Sequence, residues 1–191
     1  MSERLKFLQT ERVYLRPLVE ADCEGGYVGW FNDEEVCRGN SHHVFAYSVQ
    51  SALEYVRFAN QTKDNLILAI VLQDGDKHIG NVALQNIHPV YRSAEFTIVI
   101  GDKAAWGKGY GHDAARLICQ HGFETMNLKR IACGTFADNV AMQKLAAYLG
   151  MKEEGRRRQA AFKNGRYIDV IEYGVLREEF ESHFAQGTID I

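Results

Sequence analysis

Short alternating or wholly apolar runs are interleaved along this chain with stretches whose apolar residues recur at helical spacing. Residues 10–18 alternate, with Val13 and Leu15 on one face and Arg12, Tyr14 and Arg16 on the other. That pattern predicts a half-buried strand ended by Pro17. Residues 20–31 predict a helix weakened by Gly25, Gly26 and Gly29. Asn32-Asp33-Glu34-Glu35 opens a second short helical turn, with its acids where the helix dipole favours them. Residues 41–47 read as a loop. Ser48 or Ser51 caps a helix running to about Asn60, and Ser51 with Glu54 fits a capping box. The apolar stripe of that helix is Val49, Ala52, Leu53, Val56 and Ala59.

A β-meander follows. Residues 66–72 form an apolar strand, Asp74-Gly75 a hairpin turn and residues 78–88 the return strand. Pro89-Val-Tyr-Arg92 turns the chain into a strand over 95–100. Beyond a glycine-rich stretch, Ala114, Ala115, Leu117, Ile118 and Phe123 have helical spacing to about Thr125. Residues 130–136 form another strand. Asp138 caps a helix over 139–149, with Gly150 in the position of a C-terminal cap. Residues 154–162 and 167–176 form a hairpin around Asn164-Gly165, a type I′ signal. With no repeat, linker or low-complexity segment, residues 1–191 read as a single α+β domain of antiparallel strands with inserted helices.

Composition narrows the class. A hydrophobic content of 46% and a charged content of 25% are those of a globular protein. The net charge of −3 argues against a partner that is nucleic acid. Cys23, Cys37, Cys119 and Cys133 are scattered with no Cys-x-x-Cys pair, so they read as reduced thiols in a cytoplasmic protein. The opening Met1-Ser-Glu-Arg-Leu-Lys6 lacks an apolar signal run, and no apolar stretch approaches the ~18 residues of a membrane span. The expectation is a cytoplasmic protein with no membrane partner.

The candidate chemistry centres on Trp106-Gly107-Lys108-Gly109-Tyr110-Gly111, between a strand and a helix. Such a turn directs unpaired backbone N–H groups to one place at the positive end of a helix, which suits a phosphate. A Walker loop is excluded because Gly109 follows Lys108 where Ser or Thr is needed. A dinucleotide fingerprint fits poorly, because the glycines alternate singly and the site follows a meander. A glycine-rich turn without a ligand is the plain alternative.

Strand, glycine loop, helix, strand and then the stretch Asn139-Val-Ala-Met-Gln-Lys-Leu-Ala-Ala-Tyr-Leu-Gly-Met151 together resemble the GNAT superfamily of acetyl-CoA-dependent N-acetyltransferases. In that family the loop reads Gln/Arg-x-x-Gly-x-Gly/Ala and its amides hold the CoA pyrophosphate. Here the trailing glycines are Gly109 and Gly111, and Trp106 stands at the leading position. That departure is shared by the branch that acetylates ribosomal-protein N-termini, spermidine and some amino sugars. Arg92-Ser-Ala-Glu-Phe96, Asn164-Gly-Arg-Tyr-x-Asp169 and Val13-Tyr-Leu-Arg-Pro17 are further points of likeness.

The resemblance implies a twisted, mostly antiparallel sheet of about six or seven strands flanked by helices. It implies acetyl-CoA as cosubstrate, with the arm of CoA along Phe96, Thr97, Ile98 and Val99, where a backbone N–H stabilises the oxyanion. It also implies that Trp106, Gly107, Lys108, Gly109, Tyr110 and Gly111 form the pyrophosphate loop. Asn139 would contact the CoA arm, or else be a first-turn residue beside the Asp138 cap. An amine acceptor is protonated at neutral pH, so a base is required, and Glu95 is the candidate. The plain alternative for Glu95 is an exposed ion pair with Arg92 or Arg130. The tyrosine acid of many relatives is replaced by Ala146, and Tyr148 points elsewhere around its helix.

The acceptor pocket is expected from Asn32, Asp33, Glu34, Glu35, His42, His43 and Tyr47, whose acids would suit a cationic amine. An acid-rich helix start is the alternative. No metal is expected from two adjacent histidines alone. Arg156-Arg157-Arg158 reads as a strand edge that discourages aggregation. The expected reaction is direct acetyl transfer to a primary amine, either a small molecule such as a polyamine or amino sugar, or a protein N-terminus. A non-catalytic acyl-CoA-binding module is the rival, and a homodimer through the C-terminal hairpin is open.

Overall fold

The computed structural model describes residues 5–185; Met1 to Arg4, part of the opening read for a signal run, lie outside them. Eight strands form one sheet in the order β1-β2-β3-β4-β5-β6-β8-β7. They are β1 (Leu8–Gln9), β2 (Val13–Pro17), β3 (Leu66–Leu72), β4 (His78–His88), β5 (Ser93–Ile100), β6 (Arg130–Phe136), β7 (Lys152–Lys163) and β8 (Arg166–Leu176). The helices are α1 (Tyr27–Phe31), α2 (Val49–Gln61), α3 (Tyr110–Glu124), α4 (Val140–Tyr148) and α5 (Arg177–Ala185). The α+β, mostly antiparallel expectation holds, and two-residue β1 takes the sheet beyond the expected strand number.

Both faces of the central strands are covered, which is why β3 reads as a continuous apolar run. On one face Leu15, Leu68, Ile70, Leu84 and Phe96 pack against Ala114, Ala115, Ile118 and Phe123 of α3. On the other, Tyr14, Ile67, Ala69 and Ala83 meet Tyr27, Trp30 and Phe31 of α1 and Ala52 and Val56 of α2. Each large side chain buried this way contributes about 1.5–3 kcal/mol. β2 is therefore not half-buried: Tyr14 is 0% exposed because α1 and α2 cover the face that alternation assigned to solvent.

Other differences are local. Gly25 and Gly26 divide the expected 20–31 helix into a 3₁₀ turn, Glu20–Glu24, and α1. Asn32 to Glu35 form turns, not helix. Ser48 caps α2 by accepting from the Ser51 N–H, while Glu54 accepts from the Gln50 side chain, so there is no Ser51 box. Val49 of the expected stripe is exposed. Asn139, not Asp138, caps α4, and Asp138 pairs with Arg166. The hairpin turn matches its signal, with Asn164 at φ 50° and Gly165 at φ 77°.

The feature that positions the site is a divergence in the sheet. β5 and β6 are parallel and pair only at Ser93/Arg130, Ala94/Ile131 and Glu95/Ala132. Beyond Glu95, β5 stays with β4, while β6 turns away with β8.

Candidate active site

Past Glu95, one edge of β5 faces a cleft instead of a partner strand. Its other edge keeps the ladder with β4, from Phe96/Leu84 to Ile100/Gly80. The cleft opens into a cavity of about 540 Å³. Glu95, Thr97 and Val99 of β5 lie beside Gln85, Ala83 and Asn81 of β4 on its floor. Phe31, Asn40, Ser41 and His42 cover it, Tyr55 of α2 forms one wall, and Thr135, Phe136, Asn139 and Arg157 line the far side. The structure thus brings Glu95, the Phe96, Thr97, Ile98, Val99 run, Asn139 and His42 to one cavity.

Glu95 stands at the branch point. Its Oε2 accepts from Asn86 Nδ2 at 3.1 Å, and the side chain is otherwise exposed. The ion pairs weighed against it do not form: Arg92 binds Asn127, and Arg130 binds Glu154. A carboxylate so lightly held retains acceptor capacity for a water or an amine.

The glycine loop connects β5 to α3. Gly107 and Gly109 have φ of 71° and 80°, conformations that suit glycine, and Gly109 is the N-cap of α3. Among the described residues, the N–H groups of Gly107, Lys108, Gly109, Tyr110 and Gly111 have no hydrogen-bond acceptor, which leaves them for an anion. Trp106 Nε1 donates to Ile100 O at 2.7 Å and ties the loop back to β5. Arg12 was read only as an outward strand residue, yet it braces the loop from across the sheet. Its guanidinium makes two 2.8 Å bonds to Asp113, donates to Lys108 O at 3.0 Å and lies over the Tyr110 ring. No local spacing announces a contact between residues so far apart in sequence.

Asn139 has a structural task at both ends of its amide. Oδ1 accepts from Met142 N at 3.1 Å, and Nδ2 donates to Gly39 O at 3.0 Å, which fastens α4 to the loop that covers the cavity. Ala146 is 0% exposed in the core, and Tyr148 packs against His112 and Phe184.

The expected acceptor residues largely fail to meet the cavity. Asn32 clamps its own loop, donating to Val28 O and Tyr47 O and accepting from Tyr47 N. Asp33 and Glu35 both bind Lys103, at 2.7 and 2.8 Å. The hydrogen bond from Lys103, with backbone N–H groups of the turn, holds the Asp33 carboxyl below its ordinary range. Glu34 and His43 are exposed, and Tyr47 packs on Tyr27 and Phe31. Of that group only His42 lines the cavity. Desolvation, then the nearby Lys163 ammonium, lowers its pKa, so the ring favours its neutral form while still touching solvent. Asp33 and Glu35 are held outside the cavity by a basic residue remote in sequence, Lys103.

Residues not singled out from sequence take their place. Tyr55 is one, its hydroxyl pushed up to about 12 by burial and the neighbouring Tyr47, so it stays protonated. Asn81 is another, 9% exposed on an otherwise apolar stretch of β4; a polar residue at a buried position was the available signal. Behind it runs a buried polar chain. Arg16 grips Asp22 with bonds of 2.6 and 2.8 Å, Asp22 lies 3.4 Å from His78 Nδ1, and His78 Nε2 meets Asn81 Oδ1 at 2.9 Å. Burial opposes the charge on Asp22, but hydrogen bonds from Arg16 and His78 outweigh it and hold the carboxyl far below the usual range. Among the described residues no group of three or more His, Cys, Asp or Glu could hold a metal, and no helix is long and apolar enough to cross a membrane.

A diverging parallel strand pair beside a glycine loop and helix is the architecture of an acyl-CoA-dependent transferase. The family model described as an acetyltransferase (GNAT) domain matches residues 12–152, and the chain belongs to that family. It is 26% identical over 173 residues to the uncharacterized N-acetyltransferase YoaA of Bacillus subtilis strain 168, covering 89% of this chain and 96% of YoaA. It is 32% identical over 118 residues to the spermidine N(1)-acetyltransferase of Vibrio cholerae, covering 61% and 68% of the two chains. The crystal structure of spermidine N-acetyltransferase from Vibrio cholerae with CoA and spermine superposes with a TM-score of 0.82 at 23% identity, over 90% of this chain and 99% of that one. The protein is an N-acetyltransferase that moves acetyl from acetyl-CoA to a primary amine; the non-catalytic module is not favoured.

Proposed function

We propose that the cleft between β5 and β6 is where acetyl-CoA meets its amine, with Glu95 as the base that prepares the amine. The observation that carries this reading is the loss of β5–β6 pairing just past Glu95. The released edge of Phe96, Thr97, Ile98 and Val99 supplies backbone groups to an amide-bearing arm, as an added strand would. One of its N–H groups polarises the thioester carbonyl and stabilises the oxyanion as it forms. The free amides of Gly107, Lys108, Gly109, Tyr110 and Gly111 receive the pyrophosphate, with Arg12 and Trp106 fixing the loop. Asn139 acts on CoA indirectly, by holding the cleft's cover through Gly39.

Glu95 takes the proton from the ammonium, through a water or directly, and the amine attacks the thioester. The thiolate leaves near its ordinary pKa of about 8.5, so no tyrosine is required at the buried Ala146 position. Calorimetry with CoA and turnover of acetyl-CoA against a panel of amines test the assignment. Binding together with turnover that collapses in Glu95→Gln is expected, and an unchanged rate removes Glu95 from the mechanism. The buried, unpaired cysteines and the acetyl donor favour a cytoplasmic protein. β7 is the outer strand of the sheet and offers an edge to a second copy, although Arg156, Arg157 and Arg158 would face their own counterparts. Sedimentation should therefore show dimer, if at all, only at high salt.

A further inference from the structure

The acetyl-transfer reading leaves the acceptor open between polyamine, amino sugar and protein N-terminus, and the following rests on that reading. A polyamine carries several positive charges and only N–H donors, which favours a pocket with more than one unpaired carboxylate. Among the described residues Glu95 is the one carboxylate lining this cavity, while Asp33 and Glu35 are bound to Lys103 outside it. A cation, Arg157, lines the far side, paired with Glu172 at 2.6 Å.

The cavity instead offers hydrogen-bond donors at the end opposite Glu95. His78 Nε2 lies 2.9 Å from both Gly80 O and Asn81 Oδ1, and because a backbone carbonyl can only accept, that nitrogen acts as a donor here. This fixes the Asn81 amide with its oxygen toward His78 and its NH₂ toward the Tyr27 hydroxyl and the cavity. Arg16 and Asp22 hold His78 in place from behind. Next to Asn81, Tyr27 is 1% exposed, and its buried hydroxyl has no partner within strict hydrogen-bond geometry. The protonated Tyr55 hydroxyl lines the same wall. Asn81 pairs across the ladder with Val99, and Glu95 lies four residues along β5, about 13 Å away. A reacting amine near Thr97 sits between them.

We propose that Asn81 is a specificity-determining residue, set by the Arg16–Asp22–His78 chain to donate to an oxygen on the acceptor, so that the preferred substrate is an amine with a nearby carbonyl or hydroxyl and not a polyamine. The shared chemistry covers an α-amino carbonyl, as at a peptide N-terminus, and a vicinal amino alcohol, as in an amino sugar.

The test measures kcat/KM for glycinamide, glucosamine, propylamine and spermidine with wild type, Asn81→Ala, Asn81→Ser and His78→Gln, alongside CoA affinity and thermal midpoint. Wild type should prefer glycinamide or glucosamine over propylamine and spermidine, and which of the two leads separates the peptide from the sugar source. Asn81→Ala should shrink the preference over propylamine about ten-fold, the worth of one hydrogen bond. Asn81→Ser, which keeps a donor, and His78→Gln, which can still donate to Oδ1, should restore part of it. Because the readout is a ratio between acceptors, a general loss of folded enzyme does not imitate it. Spermidine as the best acceptor, or a preference unchanged in Asn81→Ala, overturns the inference and leaves acetyl transfer standing. Turnover with no amine at all overturns both.

Discussion

The two halves of the cleft are built differently. The donor half is backbone: a strand edge released at Glu95 and a loop of amides between Trp106 and α3. The acceptor half is side chains carried to one place by β3, β4, α2 and the cover loop, among them Tyr55, Asn81, Gln85 and His42. Backbone sites depend on local conformation, which glycine spacing and strand length write into a short stretch of sequence. Side-chain sites depend on which elements meet. The same cosubstrate can therefore serve different amines when the second half changes while the first is kept.

The sharpest challenge to this division is Glu95→Gln. As a general base Glu95 should be worth about 10²–10⁴-fold in kcat, with CoA affinity unmoved; stopped turnover with weakened CoA binding would place Glu95 in the donor half. Gly109→Val should do the reverse. A β-branched residue at φ 80°, with its Cβ 3.2 Å from Arg12 Nη2, is strained by about 1–3 kcal/mol and disturbs the amide cradle. We expect roughly ten- to a hundred-fold weaker CoA binding by calorimetry, and intact affinity would sink the loop assignment.

The polar chain behind Asn81 gives a stability test. The folded pKa of Asp22 is depressed, so its contribution is present above the unfolded carboxylate value near ~3.9 and is lost as pH falls through the folded one. Urea midpoints measured from pH 6 down to pH 2.5 should fall for wild type. Asp22→Asn should start lower, by about 3 kcal/mol for a broken buried pair, and vary less with pH; a parallel pair of profiles would show that Asp22 is not the linked group. The smallest effect is expected from Asp33→Asn. That residue binds Lys103 at the surface, where an ion pair adds little, so acetylation of every amine should stay within two-fold of wild type. A selective loss with spermidine would return the acids to the acceptor half and erase the contrast.

Legibility followed the same line. The bounds of β3, β4 and β6 are those expected from the apolar runs and turn signals, and the Asn164-Gly165 turn has the φ angles its residues require. The errors fell where a distant element intervened. Tyr14 reads as outward until α1 and α2 cover it, and Asp33 and Glu35 read as an amine site until Lys103 arrives beside them. Asn139 reads as a neighbour of the cap, and only the geometry of the turn shows that its own side chain closes α4.

By itself the sequence determined the order of elements, the glycine turn with its free amides and the strand that ends in it. These rest on steric limits and periodicities acting within a few residues. Only the tertiary structure decided that β5 parts from β6 after Glu95, that Arg12 braces the loop and that Asn81 is turned toward the cavity by a chain from Arg16. Each of those requires residues far apart in sequence to meet, and the packing of both sheet faces brings them together.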